Sequence, residues 1–304
     1  MSSRGSPEND APQKEVAVIV DKTKLGLTFF DESFGGVYRG RQVLCWGCRG
    51  SGKSILACHF LNQALLEGDK ALLLSKYRPQ DTVIIAESIG MPFADAVTRG
   101  QLTILEYNTF IPESNASSNV MLPPQSFMEL QETVESQSIR RVAFDTVLPW
   151  VAIQPTTRIA EHVYSFIHAL ERLGVTSLLT LPKPVSNAAY TLKNRLEDLC
   201  PVAVQLSHAD GESRVLRVTK YLGESRRLST PFPFVIVPQI GITVENAPSP
   251  VMPPSQPPLP NQGGFPPPIL PNQGGMTTPS AAAPASAPTT RKPISFSSVI
   301  RFPE

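Results

Sequence analysis

No stretch of the sequence reaches the roughly 18 consecutive apolar residues that a transmembrane helix needs. The opening MSSRGSPENDAPQKE carries no apolar signal segment either. Together these absences predict a soluble, cytoplasmic protein with no membrane partner. Cysteine is scarce: Cys45, Cys48, Cys58 and Cys200 are too few for a disulfide scaffold in a chain of 304 residues. Charge of one sign is missing as well. Lys and Arg number 27 against 26 Asp and Glu, a net charge of +1 that excludes the basic excess of a protein coating nucleic acid or a membrane surface.

Proline is in excess, and the excess is local. Residues 247–304 hold 16 of the 31 prolines, and the rest of that stretch is mostly Ala, Ser, Thr, Gly, Gln and Asn. Such a composition cannot bury a core, so the tail is expected to be disordered and extended. The hexapeptide LPNQGG occurs in it twice, starting at Leu259 and Leu270. The tail ends in RKPISFSSVIRFPE, where Ile294, Phe296, Val299, Ile300 and Phe302 return to apolar character among basic residues. An inert spacer and a tether with a docking peptide at 291–304 both fit. Residues 1–14 read as a disordered leader. Residues 15–246 form the candidate folded domain, long enough to bury a sizeable interior.

Within 15–246, short apolar runs alternate with helical patterns. Expected strands are Val16–Val20, Arg41–Gly47, Ala71–Ser75, Leu102–Tyr107, Val142–Asp145, Val175–Leu181 and the PVAVQLS run. Expected helices follow the phosphate loop described below and cover Pro79–Ile89, Gln125–Ser138, Thr157–Leu173 and Ala188–Leu199. Residues 22–40 read as a turn-rich approach, and 108–124 as a long loop without periodicity. The segments SRVLRVTKYL and PFVIVPQIGITVE alternate like an antiparallel meander. The predicted class is α/β: a mostly parallel sheet with helices on both faces and an antiparallel C-terminal extension.

Gly47-Cys48-Arg49-Gly50-Ser51-Gly52-Lys53-Ser54 matches G-x-x-x-x-G-K-[ST] without a mismatch, with a strand before it and an amphipathic helix after it. The glycines let successive backbone N–H groups converge on phosphate oxygens, and the helix start aims its positive dipole end at the same anion. Lys53 is expected to reach the β- and γ-phosphates, and Ser54 to hold Mg2+. The strand Arg140-Arg141-Val142-Ala143-Phe144-Asp145 ends in a carboxylate. Alone, Asp145 would read as a residue capping a turn. Downstream of a phosphate loop it reads as the second Mg2+ residue, acting through the Ser54 shell.

Gly26-Leu27, Gly35-Gly36 and Arg39-Gly40 precede the loop; Arg78-Pro79-Gln80-Asp81 and Gly90 follow the next strand; RVLRVTKYLGESRR and IGITVE close the domain. In this order the segments resemble the KaiC-like branch of the RecA superfamily over about residues 22–246. The resemblance implies a RecA-like P-loop fold, ATP as ligand, and self-assembly into a ring or filament with nucleotide between subunits. It also shows departures. Lys76 and Tyr77 stand where the family carries paired glutamates that polarise the attacking water. Of the family's Lys-x-Arg pair that reaches a neighbouring subunit's γ-phosphate, Lys220 is present and Leu222 replaces the arginine; Arg226 or Arg227 could substitute, with no spacing argument for either. The resemblance therefore implies ATP binding with slow hydrolysis.

Other signals lead to weaker readings. Cys45-x-x-Cys48 shares Gly47 with the phosphate loop and has no second pair of zinc-spaced ligands, so it reads as coincidence. His59, His162 and His168 fall on expected helices and His208 in a polar turn, in packing or solvated roles. Trp150 and the segment Pro182–Arg195, with Lys183, Tyr190, Lys193 and Arg195, interleave basic and aromatic residues as a single-stranded DNA contact would; no broader basic patch supports them. The favoured reading is a nucleotide-dependent switch or assembly unit whose tail recruits a protein partner. The alternative is a DNA-associated, recombinase-like ATPase with substitute catalytic residues.

Overall fold

The computed structural model describes residues 21–107, 124–151, 158–209, 213–225, 228 and 230–244. The expected leader, the strand Val16–Val20, residues 108–123, Arg226, Arg227 and the tail 247–304 lie outside them. The elements run β1 (Lys22–Thr23), α1 (Thr28–Phe34), β2 (Val37–Tyr38), β3 (Gln42–Gly47), α2 (Lys53–Leu66), β4 (Lys70–Ser75), α3 (Pro79–Ser88), α4 (Phe93–Thr98) and β5 (Leu102–Glu106). Then come α5 (Pro124–Gln137), β6 (Ile139–Asp145), α6 (Leu148–Val151), α7 (Ile159–Arg172), β7 (Thr176–Pro182), α8 (Asn187–Leu199), β8 (Val202–His208), β9 (Arg214–Tyr221), β10 (Pro231–Val237) and β11 (Gly241–Val244).

Nine strands form one sheet in the order β11-β10-β9-β8-β3-β7-β6-β4-β5. The six from β8 to β5 are parallel, and β9, β10 and β11 extend the β8 side antiparallel. The parallel strands are buried on both faces, which is why they read as continuous apolar runs. One face packs on α1, α2, α3 and α4 through Phe30, Leu56, Phe60, Ala86 and Phe93. The other packs on α5, α6, α7 and α8 through Leu130, Trp150, Phe166 and Leu196.

Three sequence expectations change. The turn-rich approach contains α1 between the paired strands β1 and β2; the seven-residue helix is closed by Gly35 in the left-handed region and buries Phe30 and Phe34. Second, β6 begins at Ile139 rather than Val142, and Arg141 is a buried residue of it, 1% exposed. Its guanidinium donates to Lys24 O (2.8 Å), Phe60 O (3.3 Å), Thr23 Oγ1 and Glu67. A short-range reading could not separate it from the exposed Arg140. Third, His208 is the last residue of β8 rather than part of a turn.

His59, one turn and a half into α2, ties that helix to two other segments. Its Nδ1 lies 3.1 Å from Gly26 O and its Nε2 accepts from the Ile242 N–H at 2.8 Å, a pattern that requires the neutral ring. Burial pushes its pKa down to about 4 from 6.5, against the opposing hydrogen bond to Gly26. The folded value lies below the unfolded one, so this contribution is complete above pH 6.5 and is lost as pH falls toward 4. At about 1.4 kcal/mol per unit, the loss between pH 6.5 and 4.5 is about 2–3 kcal/mol. Urea unfolding should therefore show the parent losing that much more stability over this interval than His59→Gln. Equal pH slopes would remove His59 from the account.

Candidate functional site

The loop between β3 and α2 sits at the C-terminal edge of the parallel strands. Gly50 (φ 77°) and Gly52 (φ 99°) adopt the left-handed region that the turn requires and that L side chains avoid. Gly47 is needed for a different reason: a Cβ there would lie 2.1 Å from Leu206 O on the neighbouring β8. Ser51 Oγ donates to Cys48 O at 2.9 Å and closes the loop on itself. Lys53 Nζ donates to Gly47 O (2.9 Å) and Cys48 O (2.6 Å), which folds the lysine back over the loop. Burial lowers the Lys53 pKa; Cys45, Asp145 and Cys48 oppose that shift, and the nearby Lys76 ammonium adds to it.

Asp145 closes the site from β6. Its Oδ2 accepts from Ser54 Oγ at 2.7 Å and its Oδ1 from Thr180 Oγ1 at 2.9 Å, and the residue is 8% exposed. A hydroxyl and a carboxylate in contact at a helix start make a hard-oxygen donor set suited to Mg2+. A loop whose Gly50 and Gly52 take left-handed backbone conformations suits phosphate. The residues present thus fit a magnesium nucleotide. Thr180 belongs to β7, which lies between β3 and β6; its local sequence, LLTLP, carries no motif, and only the strand order reveals its role. His208 and Arg214 were missed for the same reason. They pair across β8 and β9 and hold the loop's outer rim, His208 Nε2 at 3.1 Å from Arg49 O and Arg214 Nε donating to Gly50 O at 3.2 Å.

Lys76 and Tyr77 do follow the end of β4, beside Asp145. Lys76 N donates to Asp145 O at 3.4 Å, and Tyr77 lines a crevice of only about 10 Å3 together with Ser54, Ser75 and Asp145. Glu106 is the strand-end carboxylate in the same row, paired with Ser75 across β4 and β5. At about 4.8 Å per strand it stands roughly 10 Å from Asp145. Lys220 is engaged within its own chain, donating to Glu197 O (2.7 Å) and Asp198 O (2.6 Å) at the end of α8.

The weaker sequence signals separate. Cys45 is buried in β3, and burial pushes its thiol up to about 12, so it is an inert strand residue. Trp150 is a core side chain, edge-on to Tyr107 and Phe144, and not a surface contact. Lys193 is bonded to Glu197 at 2.6 Å and lies over the Trp46 ring. Tyr190 remains exposed. A cavity of about 910 Å3 lies at the opposite, N-terminal end of the strands beside Tyr38, Tyr221 and Leu222. Its Arg39 is paired with Asp21 and its Arg41 with Glu171.

The family model described as "ATPase: KaiC" matches residues 23–249. The chain belongs to the KaiC ATPase family. Among curated relatives it is 23% identical over 240 residues to the circadian clock oscillator protein KaiC of Synechococcus elongatus, covering 76% of this chain and 45% of that one. It is 25% identical over 220 residues to the circadian clock protein KaiC2 of a Synechocystis strain, covering 71% and 38%. The chain thus spans less than half the length of these relatives. Among solved structures, a KaiC-like protein of the archaeon Pyrococcus horikoshii superposes with a TM-score of 0.60 at 22% identity, covering 74% of this chain and 99% of that one. The RecA-like fold expected from the sequence is therefore the fold observed. No helix among the described residues is long and apolar enough to cross a membrane.

Two substitutions separate binding from folding at this KaiC-family site. Lys53→Ala should reduce ATP binding below detection in a titration while leaving the melting temperature within about 2 °C, because the lysine holds only loop carbonyls. Thr180→Val keeps the shape but removes a buried donor from Asp145, and should cost about 1–3 kcal/mol of stability in urea unfolding.

Proposed function

We propose that this chain binds ATP with Mg2+ and serves as a nucleotide-dependent switch or assembly unit that hydrolyses ATP slowly. In this reading residues Gly47 to Lys53 hold the phosphates, and Ser54 and Asp145 hold the metal. Bound Mg2+ would neutralise phosphate charge. The carrying observation is the contrast within one site: the Ser54–Asp145 pair is in contact at 2.7 Å, while Lys76 and Tyr77 occupy the strand end beside it. Neither is a carboxylate able to polarise water at neutral pH. Lack of a general base costs about 10²–10⁴-fold, and lack of a neighbour's arginine, as Leu222 implies, about 10³–10⁵-fold.

Assembly into a ring or filament, with nucleotide between subunits, belongs to the same proposal. So does the domain division into a leader (1–14), an ATP-binding domain (15–246) and a Pro-rich tail (247–304). The tail acts as a tether whose tip at 291–304 docks on a protein partner in the cytoplasm. A DNA-working ATPase is the competing possibility. The burial of Trp150 and the internal pairing of Lys193 remove two of its contact residues.

The test is turnover by the full chain at saturating ATP, with and without single-stranded DNA. Slow turnover unchanged by DNA is expected, with Lys76→Glu/Tyr77→Glu raising kcat. Strong DNA stimulation, or a fast parent, would overturn the proposal. Deleting residues 289–304 should leave ATP affinity and melting temperature unchanged while abolishing co-purification of a partner. A substantial drop in melting temperature would instead mean that the tip docks on its own domain.

A further inference from the structure

We infer that Lys76 reads the third phosphate: its ammonium, fixed at the mouth of the site, makes the chain select a nucleoside triphosphate over a diphosphate. This rests on the nucleotide-binding reading above and specifies how that site discriminates.

Three contacts fix the turn that carries Lys76. Ser75 is in register with Asp145 on β6, the Lys76 N–H donates to Asp145 O, and the Tyr77 N–H donates to Ser75 Oγ at 3.0 Å. Lys76 therefore leaves the sheet directly beside the carboxylate that contacts Ser54. Its Nζ lies 5.1 Å from the centre of the Tyr77 ring, within the range at which an aromatic face attracts a cation. Tyr77 in turn lines the crevice with Ser54 and Asp145. A volume of about 10 Å3 admits about one water and no phosphate. Any phosphate beyond those held in the loop lies outside that crevice, on the side where β4 ends and Lys76 leaves the sheet.

Lys76 is also free for this task. It is exposed, and the ion pairs among the described residues do not include it. A third phosphate brings negative charge to the strand edge from which Lys76 extends, so binding gains the attraction of an ammonium that no ion pair among the described residues engages. A diphosphate, seated deeper in the loop, meets Lys53 but not Lys76. A charge-assisted contact of this kind corresponds to about 10- to 100-fold in affinity, reduced by salt at an exposed site.

The experiment is titration of the full chain with MgATP and with MgADP, at low and high salt, for the parent and for Lys76→Met, Lys76→Glu and Lys76→Arg. The parent should prefer MgATP by about tenfold or more, and less so at high salt. Lys76→Met should weaken MgATP by about tenfold while moving MgADP by less than about twofold. Lys76→Glu should weaken MgATP further, and Lys76→Arg should keep the preference. Unchanged MgADP binding shows that each variant retains the site. If Lys76→Met alters neither nucleotide, or both equally, the inference fails while the nucleotide-binding reading stands. If the parent binds neither nucleotide, both fall.

Discussion

A carboxylate on one strand must reach a hydroxyl on a helix that grows from a different, non-adjacent strand. β7 separates β3 from β6, so Asp145 lies roughly 10 Å to the side of the strand that feeds the phosphate loop. The gap closes because α2 leaves the loop and packs chiefly on β6, which carries Ser54 to Asp145. Gly47 permits this start by letting β3 approach Leu206 O on β8. Thr180, on the intervening strand, holds the second carboxylate oxygen and so fixes which way the first one points.

β6 governs both ends of α2. Asp145 meets Ser54 in the helix's first turn, and Arg141, four residues earlier on the same strand, meets Glu67 just past its last. A 14-residue helix is about 20 Å long, so a small tilt at either end would separate the Ser54–Asp145 pair. His59 adds a hold between the two ends, joining α2 to Gly26 and Ile242. The first turn of α2, where the candidate ligand groups stand, is thus positioned by contacts spread over the whole helix face. Breaking the buried Arg141 contact would strand a charge rather than simply remove a bond.

The charged groups around the loop differ in how far they are already engaged. Lys53 is bonded to the loop carbonyls of Gly47 and Cys48, Lys76 leaves the sheet at the end of β4, and the carboxylate beside them is committed to Ser54 and Thr180. Glu106, the other strand-end acid of that row, is two strands away from Asp145.

Elements whose signals are local could be read from the chain alone. An eight-residue motif needs specific backbone freedom, so Gly47 to Ser54 announced their own conformation. Buried parallel strands must be apolar throughout, so VLCWG, ALLLS and VAFD announced theirs, and Asp145 followed as the polar end of such a run. Pairings across strands emerged only in the fold, because a side chain's partners there are set by sheet order and pleat, not by its neighbours in the chain. Thr180 sits in an unremarkable apolar run until β7 is placed between β3 and β6. Arg141 looks like its exposed neighbour Arg140 until the pleat turns it inward. Trp150 looks available to a ligand until α6 folds it against Phe144. Lys76 reads as a missing acid in sequence; in the fold its backbone N–H bonds Asp145 O and its ammonium lies beside the Tyr77 ring.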